Sequence, residues 1–353
     1  MKILLVGFNL SGAMGDNFKY LVENLPKYDN RVNEWFVLTT KTNTYKSDNV
    51  DTYCLDYNKH NLFSIVKNCF EIKKIVDRIN PSVIFITTPN LVYNLLLATL
   101  YGKRLVYYLH DPIPHEGEKF MRKALLTIQN KYVADKARDI IVASDNLMQT
   151  IKSKAIRIKT SVIELGLLDN LVYPQFKNNK KTVDMLFFGR IEEYKGLDVL
   201  VKALYRLKEE QKNYSYKVIG KGDITPYELD FKKLNVRVIN NYISDKDLAL
   251  ELSQSKIVVL PYKNATGSQT IQAANYYYCP VIASDVGCFV DYIVDKKTGL
   301  LFHSGDEIGL AENIKKMLDD NNYKNYKKNL DDWLESKFST RQICNKYYML
   351  FDK

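Results

Sequence analysis

Two short stretches hold residue types that could do chemistry together. Phe187-Phe188-Gly189-Arg190-Ile191-Glu192-Glu193-Tyr194-Lys195-Gly196 places two fixed cations, Arg190 and Lys195, between an apolar run that reads as a buried strand and an amphipathic run, Leu197 to Leu207. Ala265-Thr266-Gly267-Ser268-Gln269-Thr270 reads as the small, hydroxyl-rich start of a helix, whose unpaired amides can face an anion. Together they are suited to gripping a diphosphate. The plainer readings are two solvated surface cations and an ordinary helix cap. The macrodipole disfavours cations at a helix start, so their presence there points to an anionic ligand that compensates.

A histidine leaves another apolar run in Tyr107-Tyr108-Leu109-His110-Asp111-Pro112-Ile113-Pro114-His115-Glu116. His110 stands at the carboxyl end of a buried strand, where ligands bind parallel sheets, and two prolines stiffen the loop beyond it. His115 and Glu116 are weaker candidates. With only His60 and His303 elsewhere, no metal-ligand cluster is expected. The first apolar run enters Gly7-Phe8-Asn9-Leu10-Ser11-Gly12-Ala13-Met14-Gly15, which is not GxGxxG, and the second ends in Thr39-Thr40 with no acid to hold a ribose. A nicotinamide cofactor is therefore not expected. The loop is either one that a substrate can approach closely or a tight strand-to-helix turn and nothing more.

The order of these pieces resembles the GT-B glycosyltransferases, in particular the family-four retaining enzymes (glycosyl transferases group 1) of bacterial surface-polysaccharide type. The likeness is carried by Gly189-Arg190, Lys195-Gly196, Val218-Ile219-Gly220-Lys221-Gly222-Asp223, Asn241-Tyr242-Ile243-Ser244-Asp245 and Pro280 to Gly287. It implies catalytic roles for His110, Arg190 and Lys195, the two cations stabilising the leaving diphosphate and the histidine contacting the donor sugar. It further implies donor binding by Gly12, Gly15, Gly220, Tyr242, Ile243, Gly267, Ser268, Gln269 and Thr270. Many members carry two glutamates separated by seven residues before the segment that begins at Pro280. Counting back from Pro280, Ala265 and Ala273 stand there, so the usual carboxylate contacts to sugar and ribose are missing.

The fold class that follows is α/β: GT-B, two doubly wound Rossmann-like domains facing across a cleft. Short apolar runs at Ile3–Val6, Glu34–Leu38, Val83–Thr87, Arg104–Leu109 and Ile140–Ala143 alternate with helical spacing at Phe18–Leu25, Ile65–Ile79 and Lys119–Lys136. A second series of strands is expected at Met185–Phe188, Tyr216–Ile219, Val236–Ile239, Ile257–Leu260, Val281–Ala283 and Gly299–Phe302. Between the series, 169–182 has Pro174, a basic polar run and no periodicity, and reads as a linker. The expected domains are 1–168 on the acceptor side, joined by a returning C-terminal helix over 338–353, and 183–337 for the nucleotide sugar.

The chain has 353 residues, 46% hydrophobic, and 51 Lys and Arg against 41 Asp and Glu for a net charge of +10. That excess calls for an anionic partner or reflects compositional drift. No nucleic-acid motif accompanies it, so nucleic acid is not an expected partner. Five cysteines without a CxxC pair suit a reducing compartment, and no signal peptide or membrane-spanning run is read, so a cytoplasmic location is expected. The stretch Lys119 to Arg138 combines an apolar stripe (Met121, Leu125, Ile128, Tyr132) with Lys119, Arg122, Lys123, Lys131, Lys136 and Arg138. It reads either as a core-packed helix or as a face lying on the inner surface of the plasma membrane, presenting a lipid-linked acceptor.

The expected function is metal-independent transfer of a hexose from a nucleotide-sugar donor to a hydroxyl of a glycan or lipid-linked saccharide, with retention. The setting implied is O-antigen, capsule or exopolysaccharide assembly. No cofactor is called for, the nucleotide sugar being a substrate. The alternatives are a catalytically silent nucleotide-sugar-binding scaffold and a nucleotide-sugar epimerase on the same fold.

Overall fold

The computed structural model describes residues 1–10, 12–40, 50–56, 61–110, 120–265 and 267–353, without the side chains of Phe120 and Arg122. Ser11, His60, Asp111, His115, Glu116, Lys119 and Thr266 therefore lie outside the described residues. Met1–Glu164 with Thr340–Lys353 forms one compact unit, and Leu165–Ser339 another.

The first unit is built on β1 (Lys2–Val6), β2 (Glu34–Thr40), β3 (Asp51–Leu55), β4 (Val83–Ile86), β5 (Leu105–Tyr108), β6 (Asp139–Val142) and β7 (Thr160–Val162). They pair in the order β3-β2-β1-β4-β5-β6-β7, every pairing parallel. Ile3 to Val6 and Val83 to Ile86 are wholly buried, as expected where helices cover both faces of a parallel sheet. The intervening helices are α1 (Gly12–Tyr28), α2 (Leu62–Ile79), α3 (Leu91–Tyr101), α4 (Phe120–Lys136), α5 (Asp145–Thr150) and α6 (Lys154–Ile158). Asn61 caps α2, accepting from the Phe63 and Ser64 amides, and Asn90 caps α3, accepting from Tyr93.

The second unit is built on β8 (Val183–Phe188), β9 (Tyr216–Ile219), β10 (Arg237–Ile239), β11 (Ser255–Leu260), β12 (Val281–Ser284) and β13 (Gly299–Phe302). Their order is β10-β9-β8-β11-β12-β13, again all parallel. Its helices are α7 (Leu197–Glu209), α8 (Glu228–Lys233), α9 (Asp245–Gln254), α10 (Thr270–Tyr276), α11 (Phe289–Tyr292), α12 (Glu307–Leu318) and α13 (Asp320–Trp333). Residues 169–182, expected as a linker, belong to this unit and form short 3-10 turns at Asp169–Leu171 and Pro174–Phe176. The Tyr277 hydroxyl donates to the Leu171 carbonyl (2.7 Å) and accepts from the Tyr173 amide (3.0 Å), fixing that stretch to the unit's core.

The last helix, α14 (Thr340–Phe351), is part of the first unit. Its buried aromatic face closes that core: Tyr347 and Phe351 lie 5.4 and 5.6 Å from Phe85, and Tyr348 and Phe351 each 6.4 Å from Trp35, centroid to centroid. The Tyr348 hydroxyl donates to the Leu25 carbonyl at the end of α1.

Truncating Phe351 to alanine is expected to destabilise the first unit by about 3–5 kcal/mol, the transfer and cavity terms together. Urea unfolding read through Trp35, in a Trp333→Phe background that silences the second unit, measures it. An unchanged midpoint would show that α14 does not close this core.

Candidate functional site

In the second unit, the chain runs from β8 to β9 on one side of β8 and returns at β11 on the other. The loops after β8 and β11 therefore flank the topological switch point, where parallel sheets leave a crevice for ligands. The β8 loop carries Arg190 and Lys195; the β11 loop carries Tyr262 and Gly267 to Thr270.

Two close backbone approaches set the crevice wall. Gly196 ends the β8 loop at φ +69°, and a Cβ there would lie 1.7 Å from the Pro261 carbonyl oxygen. A Cβ on Gly220 would lie 1.7 Å from the Gly189 carbonyl oxygen, so the β9 turn also rests directly on the β8 loop. The Lys263 amide donates to the Tyr194 carbonyl (2.7 Å) and the Ile191 amide to the Lys221 carbonyl (3.0 Å), which ties all three loops together.

Within that frame the two cations are held differently. Arg190 is exposed, forms an ion pair with Glu192 (2.8 Å) and lies 3.5 Å from the Tyr194 hydroxyl. The Lys195 ammonium is half-buried, 3.8 Å from the Tyr262 ring centroid and 4.9 Å from that of Tyr194, with no carboxylate partner among the described residues. Burial, with the positive field of Arg190 added, lowers its pKa to about 7.

Tyr262 is buried beneath that ammonium, and burial pushes its hydroxyl well above the usual tyrosine range. No motif marks it in the sequence, although an aromatic side chain two residues past a buried strand occupies the same kind of position as His110. Cys288 was also passed over: it is fully buried, its thiol pushed up to about 12 by burial while the Ser268 amide acts in the opposite sense.

Gly267 is exposed, and the Ser268 hydroxyl donates to Thr270 Oγ1 (2.8 Å). Gln269 stands at the cap of α10, but its side-chain amide donates away from the helix, to the Gly166 carbonyl (2.9 Å). The first amides of α10 thus receive no side-chain cap from Gln269. Ala265 and Ala273, standing where the glutamates were expected, are both buried. Tyr242 is exposed beside Lys221, whose ammonium lies 5.5 Å from its ring, and Ile243 is half-buried on the same loop after β10.

His110, Gly12 and Gly15 belong to the first unit. His110 Nε2 lies 2.6 Å from the Thr87 carbonyl, an acceptor, so that nitrogen carries a proton and donates to it. The Thr88 hydroxyl next to it accepts from the Phe8 and Asn9 amides (2.9 and 3.3 Å), so the loops after β1, β4 and β5 share one edge of that sheet. Gly12 is exposed at the start of α1. Gly15 is buried, where a Cβ would lie 2.0 Å from the Leu10 carbonyl oxygen, so the packing of the turn accounts for its size. No group of three or more metal-ligating side chains occurs among the described residues.

Residues 172–333 match the model of the family described as Glycosyl transferases group 1. Residues 172–333 are a group 1 glycosyltransferase domain, and the chain has the GT-B fold. Sugar transfer is therefore its class of activity. The glycosyltransferase is 22% identical over 289 residues to a Campylobacter jejuni alpha-1,4-N-acetyl-D-galactosaminyltransferase named for a diNAcBac-PP-undecaprenol-linked substrate, covering 80% of this chain and 77% of that one. Its fold is similar to that of sucrose-phosphate synthase from Thermosynechococcus elongatus (TM-score 0.76, 19% identity, 100% and 98% of the two chains). It is also similar to Anabaena HepE in complex with UDP and glucose (TM-score 0.73, 15% identity, 100% and 99% covered).

Lys195 gives the glycosyltransferase a measurable proton linkage. An anion bound beside the ammonium favours its charged form, so nucleoside diphosphate binding at pH 8 is expected to take up a proton, about one per site at most. The same depressed pKa makes stability rise with pH between about 7 and the unfolded value of 10.5, and fall as pH drops toward 7. Titration calorimetry with UDP in buffers of different ionisation enthalpy reads the uptake. Equal uptake in Lys195→Met would assign it to another group.

Proposed function

We propose that the enzyme moves a sugar from a nucleotide-sugar donor to a hydroxyl of a lipid-linked or glycan acceptor in bacterial surface-glycan assembly, with retention and without a metal ion. The observation that carries the reading is Lys195, a half-buried cation lacking a carboxylate partner at the switch point of the second unit. The nearby Glu192 carboxylate is paired with Arg190, so the two cations together keep an excess of positive charge that a diphosphate leaving group would balance. Arg190, more exposed and always charged, adds a second fixed positive charge where negative charge grows as the glycosidic bond breaks.

The first turn of α10, with Gly267, Ser268, Gln269 and Thr270, is assigned to the phosphates, and the loops at Gly220 and at Tyr242 and Ile243 to the nucleoside. His110, whose Nε2 donates to the Thr87 carbonyl, is assigned to a donor-sugar hydroxyl, and Gly12, with open space around its Cα, to close approach by the donor. In the retaining reaction a diphosphate oxygen takes the acceptor proton on the face from which the diphosphate leaves, so no protein carboxylate is required where Ala265 and Ala273 stand. The lipid-linked substrate in the name of the Campylobacter relative supports the acceptor class.

A membrane-surface location rests on α4. Its stripe is exposed rather than packed: Met121 is 75% exposed, Leu125 44%, Ile128 59% and Tyr132 37%. This overturns the core-packed reading of that stripe. The helix instead turns Gln129, Val133 and Ala134 inward, small or slender side chains that let it lie close to its neighbours. Phe63, Val66 and Phe70 are exposed on α2, and α2 and α4 both contact α3, which supports a broader apolar surface with lysines around it. No helix among the described residues is long and apolar enough to cross a membrane.

Turnover of the nucleotide-sugar donor is expected to survive a chelator and to fall about a hundredfold or more in Arg190→Ala and in Lys195→Ala, with both variants folded. Near-normal turnover in the two variants would reject the diphosphate assignment, and rescue of chelated enzyme by Mg²⁺ or Mn²⁺ would reject metal independence.

For the membrane assignment, the protein is expected to sediment with phosphatidylglycerol vesicles at low salt and to be released as salt shortens the Debye length to about 10 Å at 0.1 M. Met121→Ser with Ile128→Ser, and separately Lys123→Glu with Lys131→Glu, should each weaken sedimentation while leaving hydrolysis of the soluble donor intact. Sedimentation unaffected by either pair would remove α4 from the membrane contact.

A further inference from the structure

The backbone sets Tyr262 opposite Lys195. The residues on either side of the tyrosine, Pro261 and Lys263, both meet the β8 loop: a Cβ on Gly196 would lie 1.7 Å from the Pro261 carbonyl oxygen, and the Lys263 amide donates to the Tyr194 carbonyl (2.7 Å). The two contacts run in opposite chain directions, so they register the residue between one pair against the residue between the other. The Tyr262 carbonyl also accepts from the Ser284 hydroxyl at the end of β12 and from the Ser304 hydroxyl beyond β13 (3.3 Å). Its ring packs against Phe289 (5.1 Å between centroids) and edge-on to Tyr194 (6.3 Å). A buried ring held this way presents its face to an ammonium 3.8 Å from its centroid.

The kind of neighbour matters as much as its place. Burial and Arg190 both act against the charge on Lys195, so something must hold the ammonium where it is. A carboxylate would hold it, but would neutralise its charge and compete with a diphosphate for it. Glu192, whose field reaches Lys195, is paired with Arg190 instead (2.8 Å). The other titratable group acting on the ammonium is the fully buried Cys288 thiol, from the turn before α11. An aromatic face attracts a cation through its quadrupole and carries no formal charge. The Tyr262 hydroxyl has no evident part in this: it is buried near that of Thr270 and forms no hydrogen bond of ordinary length and angle.

We propose that Tyr262 is a positioning residue for the transfer reaction, its ring face holding the Lys195 ammonium in place for the donor diphosphate while leaving that charge unneutralised. This role presupposes the diphosphate reading of Lys195.

Calorimetric binding of a nucleoside diphosphate to the full chain, from about pH 6 to about pH 9, tests it. The probe is UDP or GDP, whichever the parent binds more tightly; binding of neither rejects the diphosphate reading and this role with it. The variants are Tyr262→Phe, phenylalanines with one, two and three ring fluorines at the same position, Tyr262→Leu, Lys195→Met, and Lys195→Met combined with Tyr262→Leu. Fluorine drains the ring face of electron density at nearly constant shape, so the series loosens the hold on a cation without opening a cavity. Tyr262→Phe should stay within about twofold of the parent, the fluorinated proteins should lose affinity step by step, and Tyr262→Leu should raise Kd about five- to tenfold. Should Tyr262→Leu fail to fold, the fluorinated series decides alone.

The pH profile separates this role from one in packing. Affinity falls as pH rises through the Lys195 pKa of about 7, because the ammonium is lost. Without the attraction of the ring that fall should begin at lower pH in Tyr262→Leu and in the trifluorinated protein, with Lys195→Met supplying the baseline for the ligand's own titration. Lys195→Met should bind about tenfold more weakly than the parent, and adding Tyr262→Leu to it should cost no more than about twofold. The role is overturned if Tyr262→Phe loses as much as Tyr262→Leu, which would make the hydroxyl the working group. It is overturned equally if the fluorinated series and its pH profile stay flat, or if Tyr262→Leu costs the same factor with and without Lys195. Parent-like binding by Lys195→Met would reject the diphosphate reading itself, whereas a flat fluorinated series beside a weakened Lys195→Met rejects the positioning role alone.

Discussion

The second unit's chemistry depends on one contact, the Lys195 ammonium over the face of Tyr262. An ammonium beside a guanidinium in a half-buried setting is unfavourable alone, since burial and like charge both act against it. The surrounding backbone fixes the loop that carries it. Gly196 lies against the Pro261 carbonyl, the Lys263 amide is bonded to the Tyr194 carbonyl, and the ring of Tyr262 is fixed in the core below. The aromatic face offsets part of the cost, and an anionic ligand would offset the rest.

The sheet topology makes this contact possible. Because β8 lies between β9 and β11, two loops distant in sequence emerge side by side, one bringing the cations and the other the tyrosine and the start of α10. The first unit has the same organisation with β1 between β2 and β4. There the Thr87-Thr88 pair braces its edge, accepting from His110 Nε2 at one residue and from the Phe8 and Asn9 amides at the next. Both units thus use backbone carbonyls and hydroxyls at strand ends to orient the groups assigned to the donor.

Elements were legible in proportion to how fully they are buried. The strands expected from short apolar runs include all the interior strands of both sheets, together with the edge strands β10 and β13 of the second. The edge strands β3 and β7 were not read: of Asp51 to Leu55 only Leu55 is buried, and Thr160 to Val162 is only three residues long and half-buried. The helix α3 was passed over because Leu91 to Tyr101 is apolar nearly all round, leaving little periodicity to detect. On α4 the periodicity was real, but its direction was not in the sequence. A stripe at helical spacing states which side chains share a face, not whether that face meets the core or the solvent.

By itself the sequence determined the strand-helix alternation, the position of Arg190 and Lys195 at a strand end, and the glycines that let the adjoining loops touch, because these follow from local residue type and spacing. It also carried the group 1 glycosyltransferase resemblance, through motifs that are contiguous in the chain. Only the tertiary structure decided that Tyr262 lies under Lys195 and that Gln269 turns its amide away from α10. Each of those joins residues far apart in the chain or depends on a backbone conformation, and contacts of that kind are set by how the elements pack, which no local pattern records.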